Sequence, residues 1–161
     1  MGRSLVLFGY GNPSRGDDAL GPLLLARAEA WLPGQPGLAV DLVADFQLQI
    51  EHALDLRGAD LALFLDADGA CPGPFALRRG VPARDTSYST HELSPGAVLH
   101  VYREVTGQDP PPAFILSVRG DHFELGEPLS PAAATHLEAA WAFLQALLRD
   151  GRPEAWEVRL S

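Results

Sequence analysis

Three short stretches of this chain carry side chains that could do chemistry together. The first, Gly9-Tyr10-Gly11-Asn12-Pro13-Ser14-Arg15-Gly16-Asp17-Asp18, is a glycine-punctuated turn ending in two carboxylates. In the second, Leu65-Asp66-Ala67-Asp68-Gly69, an apolar run gives way to acid. The third, Ser89-Thr90-His91-Glu92-Leu93-Ser94-Pro95, offers one imidazole. Two carboxylates and an imidazole drawn to one place make an oxygen and nitrogen site for a borderline divalent metal such as zinc, nickel or cobalt. Three protein ligands would leave positions open for water or another molecule. Without a metal, the same carboxylates could act as general acid and base. Each stretch also has a plainer use. Asp17 and Asp18 can cap a helix and complement its dipole, Asp68 before glycine can close a turn, and a lone histidine can sit at a helix entrance. One aspartate suffices for a cap, which leaves a second to face a crevice.

Other constellations fail on the same residues. The third glycine of a dinucleotide G-x-G-x-x-G loop falls on Ser14, and Asp17 and Asp18 would repel a pyrophosphate at the helix start. The zinc-protease H-E-x-x-H pattern breaks at Pro95, and no G-x-S-x-G elbow occurs. Cys71 is the single cysteine and has no histidine beside it, so disulfides and cysteine metal sites are excluded and a thiol nucleophile is disfavoured. All 12 basic residues are arginine, which removes P-loop lysines, Schiff-base lysines and Ser-Lys dyads. A net charge of −9 argues against a nucleic-acid partner. His52, His100, His122 and His136 have no setting comparable to that of His91 and read as structural or surface residues.

The elements that must position these groups follow from hydrophobic spacing. With 161 residues, 47% hydrophobic and 20% charged, the chain suits one domain over 1–161, its core at about 3–150 and a C-terminal tail at 151–161. Apolar runs at 5–9, 38–44, 61–65 and 114–118 read as buried strands, with a short edge strand at 75–79. Helical spacing marks 20–31, 48–57 and 91–106, the last with Val98, Leu99, Tyr102 and Val105 on one face. It also marks a final helix with Ser130 as N-cap, Pro131 at its first position and Gly151 as stop. Strands alternating with helices imply an α/β, three-layer fold: a mostly parallel twisted sheet, helices on both faces and one antiparallel edge strand. Ligands of such sheets sit beyond the carboxyl ends of the strands, where the first two stretches lie. Residues 152–161, with Trp156, suit a packed strand or a loose tail. No apolar run is long enough for a membrane span and none reads as a signal peptide, so the expected address is cytoplasmic.

The turn Gly9-Tyr10-Gly11-Asn12 followed by Asp17-Asp18-Ala19-Leu20-Gly21 resembles the opening signature of the [NiFe]-hydrogenase maturation endopeptidases. The resemblance continues at Asp45, Asp66-Ala67, His91 and Gly126-Glu127-Pro128-Leu129-Ser130-Pro131, and covers roughly residues 5–148. It implies an endopeptidase that removes a C-terminal peptide from the precursor of a hydrogenase large subunit after nickel insertion. Asp18, Asp66 and His91 would be its metal-contacting and catalytic trio. The nickel would arrive with the precursor and not be a resident cofactor. Asn12, Asp17, Asp45 and Gln47 would shape the substrate pocket. The chain departs from the family where many relatives carry glutamate in place of Asp18, and where Phe46-Gln47-Leu48-Gln49 replaces a glycine-rich turn. That last run resembles the branch serving bidirectional, NAD-linked hydrogenases. The alternatives are a non-catalytic nucleotide- or phosphate-binding module and a metal-dependent hydrolase with its own metal.

Overall fold

The computed structural model describes residues 3–84 and 93–161. Within them the apolar runs form β1 (Arg3–Tyr10), β2 (Leu38–Asp45), β3 (Leu61–Asp68), β4 (Phe75–Arg79) and β5 (Ala113–Arg119). The sheet order is β2-β1-β3-β5-β4, parallel throughout except for the antiparallel β4–β5 pair. The α-helices among the described residues are α1 (Leu20–Trp31), α2 (Pro95–Thr106), α3 (Pro131–Arg149) and α4 (Pro153–Glu157).

Strand side chains alternate between two cores. Leu5, Leu7, Leu63, Leu65, Phe114 and Leu116 pack under α1, α3 and α4. Val6, Phe8, Ala62, Phe64 and Ile115 pack on the opposite face against Val98, Leu99 and Tyr102 of α2 and against Ala53 and Leu56. Both faces are therefore covered, as the uninterrupted apolar runs require, and the layered α/β expectation holds.

Several boundaries differ from the sequence reading. The helix expected at 48–57 is a 3-10 helix, Ile50–Leu56, because only His52, Ala53 and Leu56 of it reach the core while Ile50 and Leu54 stay exposed. The helix expected over 91–106 has its N-cap at Ser94, which accepts from Ala97 N at 3.1 Å, so α2 starts at Pro95; residues 91 and 92 lie outside the described residues. Val105, expected on the buried face of α2, is 64% exposed in its last turn. The segment after Gly151 is neither a strand nor loose. It forms α4 and buries Trp156, whose indole N–H donates to the carbonyls of Leu147 and Asp150 at 3.0 and 2.8 Å. Strand β3 runs three residues further than expected, so Asp66 and Asp68 belong to the ladder instead of following it.

Candidate active site

The site begins where β1 ends. Gly9, Phe8 and Leu7 of β1 pair with Leu65, Phe64 and Leu63 of β3, so the loop after β1 and the end of β3 are neighbours. Two glycines allow that loop to close tightly. Gly11 has φ +143°, and a Cβ there would lie 2.1 Å from the carbonyl oxygen of Asp18. At Gly21 a Cβ would meet the carbonyl oxygens of Tyr10 and Leu65 at 2.5 and 2.8 Å, so only glycine lets α1 start directly over both strand ends. Asn12 builds the turn itself, with its side-chain oxygen accepting from Ser14 N and its carbonyl from Arg15 N.

The two acids of the loop do different work. Asp18 is half-buried, and its carboxylate accepts from Asn12 N at 2.6 Å. A loop amide that a phosphate would need is thereby occupied by a carboxylate, which disfavours the phosphate-binding alternative. Asp17 corrects the sequence reading, which placed it in the substrate pocket. It is fully buried and accepts from Asp121 N, His122 N, Ser130 N and Ser130 Oγ at 2.8 to 3.1 Å. Burial alone would raise its pKa, but the bonds from Ser130, Asp121 and His122 outweigh it and hold the carboxyl below its ordinary value. Asp17 is a structural clamp joining the loop to the β5–α3 connection.

Asp66 projects from the face of β3 that carries Ala62 and Phe64, the α2 side of the sheet. Burial is the main force on its carboxyl. The Tyr10 hydroxyl donates to it and Arg78 attracts it, whereas the charges of Asp68 and Asp18 repel it. The net result is a pKa pushed up to about 6. Across the ladder its partner is Ser117, a residue only 1% exposed whose hydroxyl has no hydrogen-bond partner among the described residues. A half-buried carboxyl titrating near neutrality beside an unsatisfied hydroxyl is a costly arrangement of the kind functional sites retain.

A pocket of about 350 Å³ adjoins the loop, lined by Gly9, Gly11, Pro13, Pro22, Asp45 and Phe46 among others. Asp45 is among the residues that line it, and its carbonyl accepts from Gly11 N at 3.1 Å. Gln47 is half-buried and is not among the lining residues. His91, the third member of the expected trio, lies outside the described residues. Among the described residues, no group of three or more His, Cys, Asp or Glu side chains converges to hold a metal.

Sequence reasoning missed two participants. Tyr10 holds Asp66, and its only signal was its place at the end of the first strand. His52 is buried, and its Nε2 lies 3.3 Å from the Asp45 carboxylate. Gln49 N donates to His52 Nδ1 at 2.8 Å, so the neutral ring must carry its proton on Nε2, facing Asp45.

No family model matches the chain, and no curated protein sequence matches it. Solved structures do. The hydrogenase maturating endopeptidase HybD from E. coli superposes with a TM-score of 0.69 at 24% identity, over 92% of this chain and 93% of that one. The fold is that of the hydrogenase maturation endopeptidases. A second member of that fold, the [NiFe] hydrogenase maturation protease HycI from Thermococcus kodakarensis, gives 0.68 at 24% identity over 91% and 93% of the two chains. An endopeptidase from Escherichia coli gives 0.69 at 25% identity over 92% and 93%. No helix among the described residues is long and apolar enough to cross a membrane.

Proposed function

We propose that this chain is an endopeptidase that removes a C-terminal peptide from the precursor of a [NiFe]-hydrogenase large subunit after nickel has been inserted. The observation that carries the reading is the pairing of a maturation-endopeptidase fold over nearly the whole chain with Asp18 and the ionisation-shifted Asp66 at its adjacent strand ends. In this reading the nickel is part of the substrate. Carboxylate oxygens at 18 and 66 and an imidazole at 91 are hard and borderline donors suited to contact it. A carboxyl with a pKa of about 6 can also accept a proton from an attacking water near neutral pH. Asn12 keeps Asp18 in place through its backbone, and Asp45 borders the pocket that would take the peptide. The run Asp45-Phe46-Gln47-Leu48-Gln49 supports a hydrogenase of the bidirectional, NAD-linked branch as the partner. A cytoplasmic address accords with such a substrate.

Incubating the purified chain with nickel-loaded and nickel-free precursor, and weighing the products by mass spectrometry, tests the reading. Only the loaded form should lose its C-terminal peptide. Equal cleavage of both forms would remove metal recognition from the account, and cleavage of neither would remove the protease. His91→Ala should stay folded and cleave nothing. Metal analysis separates this reading from a hydrolase with its own metal, since the chain should purify largely free of zinc and nickel.

A further inference from the structure

A sheet with two open edges offers two places where another strand can add, and this chain treats them differently. The outer edge of β4 is closed by the chain's own end: Leu77 N donates to Ser161 Oγ at 3.0 Å, and Ser161 N donates to Leu77 O at 2.9 Å. The outer edge of β2 has no such cover among the described residues. Asp45 turns its carbonyl toward β1, where Gly11 N donates to it. Because successive residues of a strand point their backbone groups to opposite sides, Ala39, Asp41 and Val43 also face β1. Leu38, Val40, Leu42 and Ala44 therefore present both N–H and C=O outward, and none of these groups finds a partner among the described residues.

Three features of this edge describe what would fit it. First, it leads into the site: its last residue, Asp45, is bonded to the loop that carries Asp18, and Ala44 and Asp45 line the pocket beside Pro13, Pro22 and Phe46. Second, the strand and the segment that follows it are acidic in sequence. Asp41, Asp45, Glu51 and Asp55 are exposed, and no arginine or lysine occurs between Arg27 and Arg57. Third, Phe46 and Ile50 are 66% and 61% exposed just past the end of the strand, offering apolar surface next to the charge. A second copy of this chain would set two acidic edges against each other, which like-charge repulsion opposes.

We propose that β2 receives an extended, basic segment of the substrate polypeptide as a sixth strand, with an apolar residue of that segment seated in the pocket between Pro13, Pro22 and Phe46. Main-chain hydrogen bonds to Val40, Leu42 and Ala44 supply register and affinity, the pocket selects the side chain, and Asp41 and Asp45 select charge. The identity of the guest rests on the endopeptidase reading, but the edge itself does not.

The test is residue-resolved amide exchange of the full chain by NMR, alone and with a synthetic peptide spanning the precursor's cleavage junction. Exchange at Val40, Leu42 and Ala44 should slow about tenfold or more on adding peptide, while Ala39, Asp41 and Val43, already bonded to β1, stay unchanged. Ala44→Pro removes one outward donor without breaking the ladder, so the fold should survive and KM for nickel-loaded precursor should rise about tenfold with kcat little changed. Asp41→Arg should raise KM in the same way. Unslowed outward amides together with wild-type KM in Ala44→Pro would overturn the proposal. So would slow exchange in the absence of peptide with a doubled mass by light scattering, since a second copy would then occupy the edge. If wild-type protein cleaves no precursor yet the peptide slows these amides, the endopeptidase reading fails and strand addition stands; cleavage without slowing gives the converse.

Discussion

Replacing Asp66 with asparagine should make the protein more stable, and only where the carboxyl is ionised. The carboxyl is moved from an ordinary value of 3.8 to about 6 in the folded chain, chiefly by burial. Between those values the folded protein keeps a proton that the unfolded chain has released, so stability falls as pH rises through the window and levels off above it. At about 1.36 kcal/mol per tenfold change in proton affinity, the full cost is about 3 kcal/mol. The introduced amide cannot titrate, and its oxygen can still accept from the Tyr10 hydroxyl. Urea unfolding followed by fluorescence of Trp31, Trp141 and Trp156 would measure wild type and Asp66→Asn from about pH 4 to about pH 7.5. The variant should gain on the wild type by about 2–3 kcal/mol across that range, most of it before neutrality. A stability gap that stays flat with pH would refute the assignment of Asp66 as a group held ionised against its surroundings.

The buried Asp17 behaves in the opposite sense. Asp17→Ala removes a fully buried carboxylate and the four hydrogen bonds it accepts, and should cost about 3–5 kcal/mol in urea unfolding at neutral pH. Because the folded carboxyl of Asp17 lies below its ordinary 3.8, its contribution is complete above that value and fades as pH falls through the lower folded one. Gly11→Ala forces a side chain into a left-handed position against the Asp18 carbonyl and should lower stability by about 1–3 kcal/mol, seen as a reduced Tm. Ser117→Ala removes a buried hydroxyl with no partner among the described residues and should raise stability by about 1 kcal/mol, a Tm gain of about 2–4 °C.

The strands were legible because both faces of the sheet are covered, which writes them as uninterrupted apolar runs such as Leu61–Leu65. Their carboxyl ends were not, since Asp66 and Asp68 look like turn residues until the ladder partners Ser117 and Arg119 are known. Asp18 and Asp66 stand out in the sequence by position alone, and the structure sets the loop that carries Asp18 beside the end of β3 that carries Asp66. Asp17 was misplaced for a physical reason. The donors that claim it lie 104 to 113 residues away, and nothing local distinguishes a clamped carboxylate from an exposed one. His52 was passed over because its partner Asp45 sits on another element, and the bond from Gln49 N that orients the ring depends on a 3-10 turn that apolar spacing had suggested was a regular helix. The end of the chain was equally opaque, because the value of Trp156 comes from Phe114, 5.3 Å away in the sheet.

The central claim is that Asp18 and Asp66 at the joined ends of β1 and β3 act directly in peptide removal. Its most direct measurement is the intact mass of nickel-loaded precursor after incubation with wild type, Asp18→Asn and Asp66→Asn, each shown to unfold cooperatively. Wild type alone should remove the C-terminal peptide, and the Asp66→Asn protein should be inactive although more stable. Processing by both variants at the wild-type rate would contradict the claim.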